Sequence, residues 1–223
     1  METSILITKN FAELNPLISF CEVNDLELTA QSFIDFELIV SPIPIDIQVL
    51  FFGSKRAAHF FLLQSEIPPN CHVACIGETT KIQLEKMGIT VDFWGSQAGN
   101  PDVVAEELKQ WLGGRKLHIA LSDVSNRSMA KVLPKEQVVE IPVYKTKQQA
   151  IEISANSTII AFTSPSNLSG YLLKNHIPKN AHLISWGKTT ELALSNLGFQ
   201  SQHVLTYSTE NELVEYLDVF LKQ

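Results

Sequence analysis

Small hydroxyl side chains recur at four points where an apolar run ends. Ser54 and Ser164 each follow such a run, and two Gly-x-Thr-Thr segments occupy 77–80 and 187–190. If the apolar runs are parallel strands, these hydroxyls lie beyond the carboxyl ends of strands, where open α/β sheets bind ligands. Helix N-termini placed there bind carboxylates or phosphates through free N–H groups. The pattern predicts anion-binding loops, and helix capping by Ser and Thr is the alternative that remains open.

These four points belong to two copies of one repeat. Residues 49–89 align without a gap with 159–199 at a constant offset of 110, and 13 of the 41 positions are identical. Chance would give about two or three matches. Each copy predicts a β-α-β-α unit that ends at a C′ glycine, Gly88 or Gly198. Continuous apolar runs separated by helices indicate parallel strands buried on both faces, so we expect two doubly wound α/β sheets.

Composition excludes several classes of partner. The chain has 223 residues, a formal net charge of −7 and 45% hydrophobic residues, with a pI near 5.4. An acidic chain is a poor match for nucleic acid or an anionic membrane surface, so neither is expected as a main partner. No apolar run approaches the ~18 residues needed to span a bilayer. The N-terminus starts with a strand and has neither basic flank nor cleavage site, so a cytoplasmic location is expected.

The residues that commonly hold metals or act as nucleophiles form no recognisable set. An odd number of cysteines, Cys21, Cys71 and Cys75, predicts reduced thiols. Cys71 and Cys75, with His72 between them, could form half of a metal site, but alternate positions of one buried strand explain them better. His72 and His182 recur at one place of the repeat and are expected to be structural. Dinucleotide, P-loop, serine-hydrolase and zincin motifs are absent, which argues against those four classes of site.

Two proline-bearing segments separate parts of the chain. The Ser-Pro-Ile-Pro segment at 41–44 disfavours a helix and a central strand, which predicts a stiff connector. Residues 138–144 also carry a proline and mirror this segment in the second half. The last helix is predicted over 209–221, beginning with a capping box at Thr209.

Six segments in this order resemble the uroporphyrinogen-III synthase family: 5–8, 49–54, 74–80, 141–146, 160–165 and 187–190. They extend over nearly the whole chain. The resemblance implies two flavodoxin-like doubly wound parallel-sheet domains joined by a two-stranded connector. One domain would comprise 1–38 with 148–223 and the other 42–138. The hinge connectors would be 38–42 and 139–147, where the prolines fall, and domain motion is expected about them.

The resemblance also implies a reaction. The family carries out the cyclising dehydration of hydroxymethylbilane to uroporphyrinogen III, a lyase step of heme biosynthesis that inverts the last pyrrole ring without metal or cofactor. The substrate is a flexible linear tetrapyrrole poly-carboxylate that also closes spontaneously without inversion. The enzyme must therefore hold the chain ends for attack at the substituted carbon, and a proton donor must assist the departure of hydroxide. A monomer is expected, because the duplication already supplies a pseudo-symmetric pair.

The resemblance assigns roles to individual residues. Tyr144 matches the family's tyrosine on the return connector, facing the interdomain cleft, and is expected to be the general acid; packing of the hinge is the alternative. Tyrosine has a reference pKa of about 10 and so holds its proton at neutral pH. Residues expected to bind acetate and propionate groups are helix-start hydroxyls and nearby cations, although each cation could instead be a solvated surface charge. They are Ser54, Thr79, Thr80, Ser164, Ser166, Thr189, Thr190, Lys9, Lys55, Arg127 and Lys188.

Three positions depart from the family pattern. Gly53 stands where threonine is usual, Lys81 where alanine is common, and Trp186 replaces a smaller apolar residue. The fold prediction does not depend on them. A competing hypothesis is a non-catalytic two-domain clamp that binds a small carboxylate or tetrapyrrole, since the same loops and hinge would serve it. A nucleotide-binding tandem is disfavoured by the missing phosphate motifs.

Overall fold

The computed structural model of the chain describes residues 3–98, 100–125, 127–154 and 157–222. The strands are β1 Ser4–Ile7, β2 Glu27–Ala30, β3 Ile34–Leu38, β4 Val49–Phe52, β5 His72–Cys75, β6 Phe93–Trp94, β7 Leu117–Ser122, β8 Val138–Gln148, β9 Ile159–Phe162, β10 His182–Ser185 and β11 His203–Val204. The α-helices are α1 Pro16–Val23, α2 Lys55–Leu62, α3 Glu78–Lys86, α4 Pro101–Leu112, α5 Ser128–Lys131, α6 Pro165–Tyr171, α7 Lys188–Asn196 and α8 Glu210–Phe220. Among the described residues, no helix combines the length and apolar character that crossing a bilayer requires.

The chain divides into two compact units. The discontinuous unit comprises Met1–Asp35 and Lys147–Gln223, and the continuous unit comprises Phe36–Thr146. The discontinuous unit contains a five-stranded sheet in the order β11-β10-β9-β1-β2. The other sheet has six strands in the order β3-β8-β7-β4-β5-β6. The strand pairs from β8 to β6 and from β11 to β2 are all parallel, so this is a mixed α/β fold with parallel sheets.

The β-α-β-α prediction for each copy of the repeat is confirmed. Strands β4 and β9, β5 and β10, and helices α3 and α7 begin and end at positions that differ by the same 110 residues. Ser54 Oγ accepts a hydrogen bond from Ala57 N at 3.2 Å, and Ser164 Oγ accepts one from Asn167 N at 3.1 Å. Both serines therefore cap their helices, which is the alternative that the sequence left open.

The two glycines predicted to end helices have the backbone conformation that this position needs. Gly88 has φ 81° and Gly198 has φ 83°, in the left-handed region. Ile89 N donates to Leu84 O, and Phe199 N donates to Leu194 O, each at 3.0 Å. This six-to-one bond closes the end of α3 and of α7 as a Schellman motif, which glycine forms without a steric penalty.

The two proline segments differ in structure. Residues 41–44 form no regular element, in agreement with the connector prediction. Residues 138–144 instead belong to β8, which lies between β7 and β3 in the six-stranded sheet. The similarity of this segment to 41–44 therefore does not extend to its secondary structure, since Pro142 lies inside a sheet. The physical reason is a local irregularity in the pairing of β8, because a bulge tolerates a residue that lacks an N–H donor.

That irregularity is a β-bulge beside Pro142. Leu121 lies opposite Pro142, but Ser122 then lies opposite Tyr144, so that Val143 is an extra residue on β8. Neighbouring side chains of a regular strand point to opposite faces, yet Val143 and Tyr144 pack into the same hydrophobic core. The bulge therefore redirects the tyrosine side chain, a common use of bulges near functional sites.

Apolar side chains cover both faces of each sheet. In the continuous unit, Phe61 of α2 and Leu84 of α3 pack on one face, and Leu108 of α4 packs on the other. In the discontinuous unit, α6 and α7 cover one face while α1 and α8 cover the other. Each fully buried side chain of this size stabilises the fold by about 1.5–3 kcal/mol. The central strands are buried on both sides, which is why their sequences are continuous apolar runs.

Strand β2 was not expected from the sequence. Its residues Glu27–Ala30 are half-buried or exposed and form no apolar run. The strand nevertheless pairs with β1 along its whole length, from Ser4 opposite Glu27 to Ile7 opposite Ala30. Tertiary pairing therefore determines this strand, while its own composition gives little signal.

A buried histidine in β7 should make the stability of the protein depend on pH. His118 is 2% exposed, and burial, followed by the charge of Lys116, lowers its pKa below the ordinary value. Below pH ~6.5 the unfolded chain then takes up a proton that the folded chain does not. We expect the free energy of unfolding to be constant above this pH and to fall below it, by up to about 1.4 kcal/mol per pH unit.

Urea unfolding of the wild-type chain and of His118→Gln between pH 5 and 7.5 checks this expectation. The variant should show a shallower decline, with a residual slope to which His182 contributes, because burial and the nearby His203 also lower the pKa of His182. Equal slopes for the two proteins would contradict the assignment to His118.

Candidate active site

A cleft of about 350 Å³ lies at the carboxyl ends of the parallel strands of the continuous unit. Its walls include Gly53 and Ser54 after β4, Ile76 after β5, Ser122 at the end of β7 and Tyr144 on β8. From β7 the chain continues to β8 on one side of the sheet, whereas from β4 it continues to β5 and β6 on the other side. The direction of the strand order thus reverses between β7 and β4. Ligands of open α/β sheets bind at such a switch point.

Tyr144 presents a hydroxyl group to this cleft. Its side chain is 8% exposed, and its ring stacks on Phe60 with centroids 5.1 Å apart and contacts Phe36 edge-on at 5.8 Å. Within the described parts of the chain, the hydroxyl of Tyr144 has no hydrogen-bond partner. The aromatic contacts fix the ring, and the hydroxyl remains able to donate to a ligand.

Two arginines supply positive charge to the cleft. The guanidinium carbon of Arg56 lies 3.5 Å from the centroid of the Phe36 ring. Arg127 Nε donates to Glu140 Oε2 at 3.0 Å, and Arg127 Nη1 donates to Ser125 O at 3.3 Å. Guanidinium groups bind carboxylates with paired hydrogen bonds. Two of them in one cleft of a chain with a net charge of −7 favour an anionic ligand.

The structure brings together three of the predicted site residues and adds one that was missed. Ser54, Arg127 and Tyr144 all line the cleft, whereas Lys55 is exposed and does not line it. Arg56, the next residue of α2, lines it instead because successive residues of a helix point about 100° apart. The spacing of Arg56 and Phe60, four residues apart on one helix face, was the signal that could have identified the arginine.

The threonines predicted to bind the ligand lie in the first turns of their helices. Thr79 is exposed and Thr80 half-buried, and neither lines the cleft. Thr189 is exposed, while Thr190 is buried.

Packing explains why residue 77, which precedes α3, is a glycine. A Cβ at this position would lie 2.5 Å from the Cβ of Ala98.

The strand ends of the discontinuous unit hold a network of hydroxyl and amide groups. Thr163 N donates to Thr8 Oγ1 at 2.8 Å, and Thr163 Oγ1 donates to Thr8 O at 2.6 Å. Asn167 Nδ2 donates to Thr163 Oγ1 at 3.2 Å and to Ser164 Oγ at 3.3 Å. These bonds tie the end of β1 to the start of α6. Ser164 and its neighbours thus have a structural role besides any contact with a ligand.

The remaining predicted residues of the discontinuous unit are accessible. Ser166 in the first turn of α6 is half-buried, and Lys188 at the start of α7 is exposed. Lys9 Nζ lies 5.5 Å from the centroid of the Trp186 ring, a cation–π contact at the strand ends. Trp186, one of the three departures from the family pattern, therefore pairs with a predicted binding lysine.

The repeated histidines lie at the opposite ends of their strands from these loops. His72 Nδ1 lies 3.4 Å from Asp92 Oδ1 at the start of β5. His182 Nε2 lies 2.7 Å from the hydroxyl oxygen of Tyr216, and its ring packs on Phe220 with centroids 4.1 Å apart. Both side chains join their strands to neighbouring elements, which agrees with the structural role expected for them.

The cysteines are buried or half-buried free thiols. Burial raises the pKa of Cys21, Cys71 and Cys75 to about 11, so all three are protonated at neutral pH. Cys75 of β5 and Cys71, just before this strand, pack into the same hydrophobic core, as expected for alternate positions on one face. Among the described residues, no three His, Cys, Asp or Glu side chains are placed to hold a metal ion.

Comparison with known proteins connects this arrangement to one family. The family model HEM4, uroporphyrinogen-III synthase HemD, matches residues 16–215. The structure of uroporphyrinogen-III synthetase from Helicobacter pylori 26695 is 18% identical, with a TM-score of 0.72, over 99% of this chain and 100% of that chain. A mutant uroporphyrinogen III synthase from Thermus thermophilus is 11% identical, with a TM-score of 0.59, over 99% and 100% of the two chains. A search of the curated proteins gave no match.

The family match extends over most of the chain and confirms the resemblance that the sequence motifs indicate. The similar structures agree with the mixed α/β fold and its parallel sheets. The chain belongs to the uroporphyrinogen-III synthase family, the cofactor-independent cyclising lyases of heme biosynthesis.

Proposed function

We propose that the cleft of the continuous unit is where this chain cyclises hydroxymethylbilane to uroporphyrinogen III, with Tyr144 as the proton donor. The observation that carries this proposal is the unpartnered hydroxyl of Tyr144 in a cleft that also contains Ser54 and two arginines, Arg56 and Arg127. A proton donor and anion-binding groups at one strand switch point are what the dehydration of a poly-carboxylate needs.

The chemistry requires little beyond positioning and one proton transfer. Tyr144 gives its proton to the hydroxymethyl oxygen as the carbon–oxygen bond breaks, and water leaves. The carbon thus freed bonds to the substituted carbon of the last pyrrole. The bond from that carbon to the neighbouring methylene bridge then breaks, and the methylene bonds to the free α-carbon of the same pyrrole. That carbon loses its proton, which restores the phenol of Tyr144 and leaves the ring inverted. Arg56 and Arg127 line the same cleft and can bind carboxylates of the substrate. Because hydroxymethylbilane also closes unaided without inversion, holding its two ends is the main contribution of the protein.

The predicted binding residues interact with the acetate and propionate carboxylates of the substrate. In the continuous unit, Arg127 and Ser54 bind carboxylates within the cleft, and Lys55, Thr79 and Thr80 bind them at nearby helix starts. In the discontinuous unit, the corresponding groups are the hydroxyls and cations at the strand ends: Lys9, Ser164, Ser166, Lys188, Thr189 and Thr190. All of these residues except Lys9, which follows β1, lie at or near helix N-termini, where free N–H groups add to the hydroxyls.

Strand order supports two flavodoxin-like domains. Within the discontinuous unit, the sheet reads 2-1-3-4-5 from β2 to β11, the flavodoxin order. In the other sheet, β7 takes the place of strand 1, β8 of strand 2, and β4, β5 and β6 of strands 3, 4 and 5. Its order from β8 to β6 is then also 2-1-3-4-5. We propose domains of 1–38 with 148–223 and of 42–138, joined by a two-stranded connector at 38–42 and 139–147. The chain passes between its two compact units within β3 and β8, close to these bounds.

The protein is proposed to act as a cytoplasmic monomer. Its cysteines are free thiols, which agrees with a reducing compartment. Each unit contains its own sheet with both faces covered by helices, so neither sheet needs a second copy of the chain to bury it.

Supplying freshly prepared hydroxymethylbilane and separating the uroporphyrinogen isomers tests the function directly. We expect the chain to form the inverted isomer faster than the substrate closes in buffer alone. Formation of only the non-inverted isomer, at the rate of the buffer control, would overturn the proposal and favour a non-catalytic clamp.

A further inference from the structure

A second groove adjoins the cleft of the continuous unit. It measures about 630 Å³ and lies between α5 with the residues that follow it and the first residues of β8. Ser125 and Arg127 line both the groove and the cleft. A ligand that fills the cleft can therefore extend past these two residues into the groove.

The groove carries more positive than negative charge. Lys131 and Lys135 join Arg127 on its walls, and among the described residues Glu140 is the one carboxylate that lines it. Glu140 pairs with Arg127 Nε at 3.0 Å. Across the described ranges of the chain, neither lysine has a carboxylate within 4.0 Å. Two unpaired ammonium groups in one groove contrast with a chain that has 24 acidic and 17 basic residues.

The size of the cleft indicates what occupies the groove. A volume of about 350 Å³ is near the lower end of the ~300–1,000 Å³ range of sites that enclose drug-sized ligands. Hydroxymethylbilane is larger than such ligands, and each of its pyrroles carries an acetate and a propionate. If the reacting end lies beside Tyr144, further pyrroles with their carboxylates must lie outside the cleft.

We propose that this groove is a substrate subsite in which Lys131 and Lys135 bind carboxylates of pyrroles remote from the reacting carbon. The inference rests on the proposed function and extends it to residues for which the family motifs assign no role. Ala130, Leu133 and Val138 give the groove an apolar floor against which a pyrrole ring can pack. The ammonium groups bind at the rim, where long lysine side chains can follow a flexible ligand.

The double variant Lys131→Gln/Lys135→Gln tests the subsite through steady-state kinetics with hydroxymethylbilane. We expect KM to rise about 5-fold while kcat stays within about 2-fold, because each exposed ion pair contributes modestly and the contact is remote from the reaction. The rise of KM with ionic strength should also be weaker in the variant than in the wild-type chain, since fewer charge contacts remain to be screened.

Lys86→Gln/Lys109→Gln is the matched control. It removes the same number of charges from helices α3 and α4 of the same unit, and neither lysine lines the groove or the cleft. Its KM should match that of the wild-type chain. An unchanged KM in the groove variant, or an equal rise in the control, overturns the subsite and leaves the proposed function intact provided that the inverted isomer still forms. Absence of the inverted isomer from the wild-type reaction would overturn both.

Discussion

Tyr144→Phe is expected to lower kcat for formation of the inverted isomer by about 100-fold or more, with little change in KM. General acid catalysis contributes about 10²–10⁴-fold, and the substitution removes only the donor. The phenylalanine ring keeps the stacking on Phe60 at 5.1 Å and the edge contact with Phe36, so the cleft should retain its shape. Steady-state kinetics with isomer separation, corrected for spontaneous closure, measures the effect.

Tyr171→Phe provides the matched control for loss of a phenolic hydroxyl. Tyr171 is also buried, its hydroxyl donates to His176 O at 2.9 Å within the discontinuous unit, and it does not line the cleft. We expect it to cost about 1 kcal/mol of stability and to leave kcat nearly unchanged. If Tyr144→Phe kept wild-type kcat, Tyr144 would be a packing residue, and the proton donor would have to be another group.

Gly170→Ala is expected to destabilise the fold by about 3 kcal/mol. A Cβ at this position of α6 would lie 2.2 Å from Phe33 O and 2.9 Å from Phe33 Cβ. Phe33 cannot easily move, because Phe33 N donates to Asn167 Oδ1 at 2.8 Å and Phe33 O accepts from Gln149 N at 2.8 Å. Alanine favours a helix over glycine by about 1 kcal/mol, which is too little to offset this overlap.

Ser169→Ala is the matched control on the same helix, since Ser169 is exposed and lies next to Gly170. It should change the free energy of unfolding by no more than about 0.5 kcal/mol. Urea unfolding of both variants at neutral pH gives the comparison. Equal stabilities of Gly170→Ala and the wild-type chain would show that α6 can shift away from Phe33 at little cost.

Local sequence signals identified the elements whose partners lie close in the chain. The cap at Ser54, the C′ glycine at 88 and their counterparts 110 residues later depend on bonds within a few residues, and all four appear in the structure. Strand β2 has no such signal, because it forms through pairing with β1. Its residues Glu27–Ala30, at the edge of the sheet, lack the apolar run by which the inner strands were identified.

The site was less predictable than the fold because it depends on how elements face one another. Lys55 was predicted and Arg56 was missed, because the spacing of Arg56 and Phe60 on α2 gains its meaning only from the stacking of Phe60 on Tyr144. The direction of Tyr144 depends on the bulge at Val143, which no residue pattern indicated. The resemblance to a family identified Tyr144, and the bulge at Val143 explains why its side chain faces the cleft.

The two copies of the repeat differ at the residue that stacks on Tyr144. Phe60, which stacks on Tyr144, corresponds to Gly170 in the second copy. In the strand order of the two sheets, β1 corresponds to β7, and its neighbour β2 corresponds to β8. Phe33 follows β2 and approaches Gly170, where the continuous unit instead has a tyrosine stacked on a phenylalanine. At the contact between helix α2 or α6 and the strand segment beside it, the continuous unit therefore has the phenolic hydroxyl of Tyr144, and the discontinuous unit has Phe33 instead.

The sequence order of the strands has a consequence for synthesis on the ribosome. Strand β1 is made before the continuous unit, but its partner β9 begins only at Ile159, after the whole continuous unit has been made. Translation adds ~5–20 residues per second, so β9 is made on the order of ten seconds after Ile5, Leu6 and Ile7. During this time these apolar residues lack their partner strand. During translation the nascent chain should therefore bind chaperones through its first residues, while residues 36–146 can fold as soon as they emerge.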